Sequence, residues 1–473
     1  LKVLLIIHDN YQEDNYFPLG PAYIASYLRE KGHEIDIYCM DVFHYTNKDL
    51  ALYLNEHDID YIGIGFLAGR YNETVIDLCA IVNQYKKNAK IVLGGQGPSP
   101  IPGFMLRNLN ADVVIIGEGE ETFAEIVDGI PFEQIKGIAY KCNGDIKINP
   151  RRKPIRNLDS LPFPAWDLFP MDKYINSVIW PGWEEGDKTF CILTSRGCTN
   201  ACTFCYRMDK GIRVRSINNI MAEMKLLHER YGINYFLIQD ECFIISEKRL
   251  ETFINGTKNL EFKIKYYCDS RVEFFNERIA KLLKESGCMF TNFGFESNNQ
   301  VVLNNIKKNT TVEQNIRAAE ISKKYKLPMG LNLLWNMPGD TVETLQNNVN
   351  FLKKYNTYVQ LRTIKPATPY PGCELYYWAI LNGRLEGPED FFAKFKNLDL
   401  ITVNHTDLDL DTMYKALYNA NKALIFDHYA HTSGNIDDAK NIINQFKRLY
   451  FEGETMFRGA RHYESPSYDL VDT

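Results

Sequence analysis

Short apolar segments alternate with amphipathic ones twice along this chain, and that rhythm constrains the fold more than any other feature. Val3–Ile7, Ile35–Cys39, Tyr61–Phe66, Ile91–Leu93 and Val113–Ile116 read as strands. Ala22–Arg29, Lys48–Asn55 and Thr74–Tyr85 read as the helices between them, the first stopped by Gly32. Strands this short, apolar throughout and separated by helices predict a parallel sheet covered on both faces. Residues 1–130 are therefore expected to form a doubly wound, Rossmann-like α/β domain.

Open α/β sheets bind ligands beyond the C-terminal ends of their strands. Gly63 and Gly65, Gly94-Gly95-Gln96-Gly97, and Gly117-Glu118-Gly119-Glu120 all fall there. Glycine lets backbone approach a large flat ligand and offer N–H groups to its polar substituents. It serves equally in tight strand–helix turns. No G-x-G-x-x-G follows the first strand, which argues against a nicotinamide cofactor.

The texture changes over residues 131–188. Gly137–Lys141 and Asp145–Asn149 read as a hairpin around Asn143-Gly144. Asp159 to Pro170 follows, rich in proline and aromatics, and reads as a strap held down by its rings. From residue 189 to 385 the alternation resumes. Phe190–Leu193, Tyr235–Ile238, Lys263–Cys268, Met289–Phe295, Gly330–Trp335 and Val359–Ile364 are the expected strands, each followed by a loop or helix. Six such units suit a partial (β/α)6 barrel of the TIM type, whose chemistry gathers at the C-terminal ends of the strands. Residues 386–473 read as a helical C-terminal segment: Met413, Leu417, Ala420 and Leu424 share one face, a second helix covers Ile436–Leu449, and a polar tail follows Arg461.

The loop after the strand Phe190–Leu193 carries Cys198, Cys202 and Cys205 at spacing C-x3-C-x2-C. Three thiolates so close can each ligate a different iron of one cubic [4Fe–4S] cluster. Electron-carrier ferredoxins close the fourth iron with another Cys. Here no thiol follows within the next 36 residues, Cys242 being the next, so one iron stays open to a substrate or cosubstrate. Zinc is the competing reading, but it prefers four ligands and no second C-x2-C pair exists.

With Phe204 just before the third cysteine, this loop resembles the radical S-adenosylmethionine (SAM) superfamily. The resemblance implies that the open iron chelates SAM through its amino and carboxylate groups. One electron from the cluster then releases methionine and a 5′-deoxyadenosyl radical. It further implies SAM contacts at strand ends: Gln239, Asp240 and Glu241 for the amino group, Arg271 for the carboxylate or a substrate. Glu296 and Ser297 fall where the family meets the ribose, and Asn336 opens the turn near the adenine. The segment Phe17 to Tyr23 with Gly20, the Gly94-Gly95 turn and the Gly117–Thr122 turn resemble the cobalamin-binding domain fused to many such enzymes. Gly65, Gly117, Glu118, Gly119 and Glu120 belong to the same implied site. The D-x-H-x-x-G pattern that supplies an axial histidine in other cobalamin domains is absent, since Asp41-Val42-Phe43-His44 has the wrong spacing. The resemblance thus implies cobalamin bound without a protein histidine.

The combination resembles a cobalamin-dependent radical SAM methyltransferase of class B type, acting on an unactivated carbon or a phosphinate phosphorus of a small molecule. A non-methylating cyclase, hydroxylase or rearrangement enzyme is the alternative, and a cobalamin- or iron-binding sensor a third. The radical chemistry implies an external one-electron reductant of the flavodoxin or ferredoxin type. A net charge of −6 without basic runs argues against nucleic acid. No apolar run reaches about 18 residues, so no membrane span is expected. Eleven cysteines without paired spacing suit reduced thiols in a cytoplasm.

Overall fold

The computed structural model describes residues 1–460 except 13, 433 and 458, so the tail after Arg461 lies outside the described residues. The chain divides into two compact units. The first comprises residues 1–179, 188–197 and 206–233, and the second 180–187, 198–205 and 234 onward.

The first unit is built on β1 (Lys2–Ile7), β2 (Glu34–Cys39), β3 (Tyr61–Gly65), β4 (Lys90–Gly94) and β5 (Val113–Ile115). They pair in parallel in the order β2-β1-β3-β4-β5. Helices α1 (Leu19–Glu30), α2 (Met40–Phe43), α3 (Asn47–Glu56), α4 (Ile76–Tyr85), α5 (Pro102–Asn108) and α6 (Glu120–Val127) connect and follow them. Val3 and Leu5 of β1 pack with Ala25 and Leu28 of α1 and with Phe123, Ala124 and Val127 of α6, all buried. Strand order reverses between β1 and β3, and such a switch point opens a crevice at the strand C-termini.

The predicted hairpin is present as β6 (Ile138–Cys142) and β7 (Asp145–Ile148), turning through Asn143 and Gly144, both with positive φ. It does not stand apart. β6 pairs antiparallel with β5, so the sheet has seven strands and runs past residue 130. The strap and the helix after it, α7 (Met171–Tyr174), pack on the same unit: Phe17 meets the rings of Phe169, Tyr174 and, in the next strand, Phe190 at 4.9, 5.3 and 4.7 Å. The Tyr174 hydroxyl donates to the buried Asp41 carboxylate, 2.8–3.0 Å from its two oxygens. Burial pushes the Asp41 carboxyl up to about 7, more than the Tyr174 and backbone hydrogen bonds pull it down. This unit also holds β8 (Thr189–Ile192), the two-stranded pair β9 (Ser195–Cys198) and β10 (Gly211–Val214), and α8 (Ile217–Tyr231). Ser216 caps α8 as its oxygen accepts from the Asn219 N–H, and left-handed Gly232 ends it.

In the second unit β11 (Tyr235–Ile238), β12 (Lys265–Ser270), β13 (Cys288–Glu296), β14 (Met329–Trp335) and β15 (Lys365–Pro366) run parallel in sequence order. Helices α9 (Glu247–Thr257), α10 (Glu277–Glu285), α11 (Gln300–Asn305), α12 (Val312–Tyr325) and α13 (Val342–Tyr355) fall between them. This is the α/β, curled half-barrel half of the fold, followed by α14 (Glu374–Leu381), α15 (Pro388–Lys394), α16 (Leu410–His431) and α17 (Ile436–Phe451). One expected strand is displaced. Val359–Ile364 forms no ladder, and pairing with β14 begins only at Lys365. The reason lies in α16: Asn421 accepts the Ile364 N–H at 2.8 Å and donates to the Ile364 carbonyl at 3.1 Å. A side chain thereby occupies backbone groups that a strand would have paired.

Candidate functional site

The cysteine loop is held by backbone. The Thr203 N–H donates to the Ile306 carbonyl at 3.0 Å, and the Thr203 carbonyl accepts from the Leu375 N–H at 2.8 Å. Cys205 N–H closes back onto the Cys202 carbonyl at 3.2 Å. Cys202 is buried, Cys198 and Phe204 are half-buried, and Cys205 is exposed. Desolvation of the Cys205 thiol, reinforced by the charges of Glu241, Cys202, Cys198 and Glu296, pushes its pKa up to about 12. Without iron that thiol keeps its proton; a metal ligated there displaces it.

Among the described residues, no three Cys, His, Asp or Glu side chains are grouped as ligands of one metal ion. A cubane asks for something else, one thiolate at each of three separate irons, and three soft sulfur donors spread along a pinned loop meet that demand. Of the carboxylates named for SAM, Glu241 and Glu296 are close enough for their charge to act on the Cys205 thiol. Asp240 is buried, Glu241 exposed and Gln239 half-buried at the end of β11. An acidic surround suits the ammonium and sulfonium charges of SAM. Glu296 takes a left-handed φ of 63° at the end of β13 and lies 3.0 Å from Lys308 Nζ. Its carboxylate crosses Gly294, where a Cβ would stand only 2.3 Å from Glu296 Oε1.

Other expected SAM contacts are engaged by the protein. Arg271 is buried and directs its guanidinium at Cys202 Sγ (3.5 Å), Glu273 Oε1 (2.5 Å) and the Lys308 carbonyl. Ser297 is fully buried, and its hydroxyl accepts from the Asn299 N–H at 3.3 Å. Asn336 is fully buried as well: it donates to the Val403 carbonyl at 2.8 Å and accepts from the His405 N–H at 3.0 Å. Its turn is locked by the chain 67 residues downstream, which no local pattern reveals.

At the strand ends of the first unit, and at Gly20 in the first turn of α1, the glycines divide. A Cβ at Gly20, Gly94 or Gly117 would meet nothing within 4 Å, and Gly65 is exposed, so backbone there borders open space. Gly95 and Gly119 are close to the protein itself, a Cβ standing 3.0 Å from the Phe66 carbonyl and 2.9 Å from Ile24. The open set fits the edge of a broad flat cofactor such as cobalamin, and Leu67, 58% exposed just beyond β3, adds apolar surface. Glu118 and Glu120 are already engaged by the protein. Arg196 bridges them, Nη1 to Glu118 at 2.8 Å and Nη2 to Glu120 at 2.7 Å, while Arg213 and the Ile155 N–H also donate to Glu118. Burial raises the Glu118 carboxyl, but Arg196, the Ile155 N–H and Arg213 outweigh it and hold the group below the usual carboxylate range. Arg196 sits two residues before Cys198, so these carboxylates steady the strand that enters the cluster loop. Sequence reading missed a polar set on one face of the second sheet: Tyr267, Asp269, Asn292, Asn332 and Arg362. Tyr267 donates to Asp269 at 2.6 Å, and Arg362 donates to Asn332 at 2.8 Å and to Asn292 at 3.2 Å. The signal available was polar residues at every second position of otherwise apolar strands.

Residues 12–127 match the B12 binding domain family and residues 192–352 the radical SAM superfamily. The chain belongs to the cobalamin-dependent radical SAM methyltransferase family. An uncharacterized methyltransferase of Pyrococcus horikoshii is 32% identical over 450 residues, covering 92% of this chain and 94% of the relative. Cytidylyl-2-hydroxyethylphosphonate methyltransferase of Streptomyces wedmorensis is 24% identical and covers 82% of each. The methyltransferase TsrM from Kitasatospora setae, solved with cobalamin and a [4Fe–4S] cluster, superposes with a TM-score of 0.65 at 18% identity, covering 80% of this chain and 75% of that one.

Proposed function

We propose that the chain transfers a methyl group to an unactivated carbon, or to a phosphinate phosphorus, of a small-molecule acceptor. When bound, the three cofactors supply an electron, a 5′-deoxyadenosyl radical and a methyl donor. Cys198, Cys202 and Cys205 would hold the cluster, and Asp240, Glu241 and Glu296 would meet the cationic and hydroxyl groups of SAM. Backbone at Gly20, Gly65, Gly94 and Gly117 would border the corrin. The polar face of Tyr267, Asp269, Asn292, Asn332 and Arg362 supplies donors and acceptors for an acceptor molecule. The reading is carried by one observation: a pinned three-thiol loop, with the charges of Glu241 and Glu296 acting on Cys205, shares a chain with strand-end glycines whose backbone borders open space. The phosphonate methyltransferase relative supports an acceptor of that kind. A flavodoxin- or ferredoxin-type protein is the proposed electron source. All eleven cysteines are free thiols, which supports a reducing, cytoplasmic setting.

The test is anaerobic reconstitution with iron, sulfide, cobalamin, SAM and dithionite, using extract of a host lacking the gene as the acceptor source. Methyl transfer gives 5′-deoxyadenosine together with S-adenosylhomocysteine, and a metabolite heavier by one methyl group. Deoxyadenosine without S-adenosylhomocysteine would instead favour a non-methylating reaction.

A further inference from the structure

Arg271 carries more than the sequence assigned to it. It follows β12, it is 5% exposed, and each of its three guanidinium nitrogens already has a partner within the second unit. Nη1 donates to Cys202 Sγ at 3.5 Å, Nε to Glu273 at 2.5 Å and Nη2 to the Lys308 carbonyl. Glu273 in turn accepts from Asn200 within the cysteine loop at 3.0 Å, and Asn309 donates to Asn200 at 3.2 Å. The segment that supplies Lys308 also supplies the Ile306 carbonyl that pins Thr203. One planar group is therefore clamped on two sides with its third edge aimed at a ligand sulfur.

We propose that Arg271 is a positioning residue for the cluster that sets its reduction potential through an N–H···S hydrogen bond to Cys202, rather than a holder of the SAM carboxylate. An N–H donor draws electron density from a ligating thiolate and favours the reduced cluster, because reduction adds negative charge to the sulfur. Burial strengthens the bond by excluding water. Glu273 offsets most of the long-range charge of the guanidinium, so what remains at Cys202 is the short-range, directional part. Lysine cannot reproduce that part, for an ammonium lacks the fixed fork that reaches three partners in one plane. The inference rests on the assignment of Cys198, Cys202 and Cys205 as cluster ligands.

The experiment is an EPR-monitored potentiometric titration of the reconstituted full chain without SAM, with iron and sulfide counted on the same samples. Arg271→Gln is expected to retain the cluster with a tenfold smaller reduced-to-oxidised ratio at any fixed potential, a midpoint about 59 mV lower for a one-electron couple. Arg271→Lys shifts the same way by less, and Glu273→Gln, which leaves the guanidinium charge uncompensated, shifts the midpoint upward. An unchanged midpoint in Arg271→Gln with full iron content overturns the proposal. Should both Arg271 variants lose their iron, Glu273→Gln decides by rising or staying level. A wild-type chain that takes up no cubane fails the ligand assignment itself, a result readable before any variant is titrated.

Discussion

Replacing Arg196 by alanine tests whether the Gly117–Glu120 turn and the strand leading to Cys198 are one mechanical unit. In the folded chain Arg196 is 17% exposed and its two carboxylate partners are 10% and 5% exposed. Glu118 survives the change, because Arg213 and the Ile155 N–H still reach it at 2.8–2.9 Å. Glu120 loses its guanidinium and stays buried. Breaking a buried pair by removing one partner costs about 3–5 kcal/mol. Taking about 3 kcal/mol, because Glu120 lies near a helix start that favours negative charge, the local opening constant rises about 150-fold. Hydrogen exchange of peptides spanning residues 113–127 and 189–198 reads that number directly, with the β1 peptide as control. Arg196→Ala combined with Glu120→Gln should exchange more slowly than the product of the single effects, by at least about fivefold, since the stranded charge is gone. A rise below tenfold in the single variant, or strictly multiplicative effects in the double, would refute the argument.

Four further outcomes follow from the same geometry. Glu118, held below the usual carboxylate range, contributes stability above its unfolded pKa that is lost as pH falls through the folded value; urea midpoints of wild type and Glu118→Gln should converge toward acid pH. Asp41 has the opposite sign: with its pKa raised to about 7, it favours the fold at acid pH and costs stability as pH climbs from about 4 to 7, so Asp41→Asn should flatten that limb of the pH–stability curve. Gly197→Ala should open the β9–β10 pair and lower iron uptake on reconstitution, because Gly197 has φ 89° and a Cβ there would stand 2.3 Å from the Gly211 carbonyl. Cys198→Ala, Cys202→Ala and Cys205→Ala should each abolish the cubane EPR signal, and retention of a full signal in any one would remove that residue from the ligand set.

The periodic parts of the fold were legible because burial on both faces leaves β1, β3 and β4 almost uniformly apolar. The hairpin turn was legible because Asn143-Gly144 meets a backbone demand for positive φ. The cysteine loop was legible for a chemical reason, as three thiols at short spacing have few other uses. What escaped was long-range. Val359–Ile364 has strand-like composition, yet Asn421 of α16 claims the Ile364 backbone from 57 residues away. Glu118 and Glu120 sit where a ligand belongs, but Arg196 and Arg213 answer them from 76 to 95 residues downstream. Asn336 opens a turn that suits an adenine contact, while its amide is consumed by residues 403 and 405.

That last arrangement bears on how the second unit can be divided. Asn336 binds both the Val403 carbonyl and the His405 N–H, and the His405 ring returns to the Asn336 carbonyl at 2.9 Å. A chain cut near residue 390 would strand this amide in the interior, so the half-barrel is not a portable cassette. Chimeras that swap acceptor preference between relatives should be spliced beyond the last helix, carrying residues 400–410 along with the turn they lock.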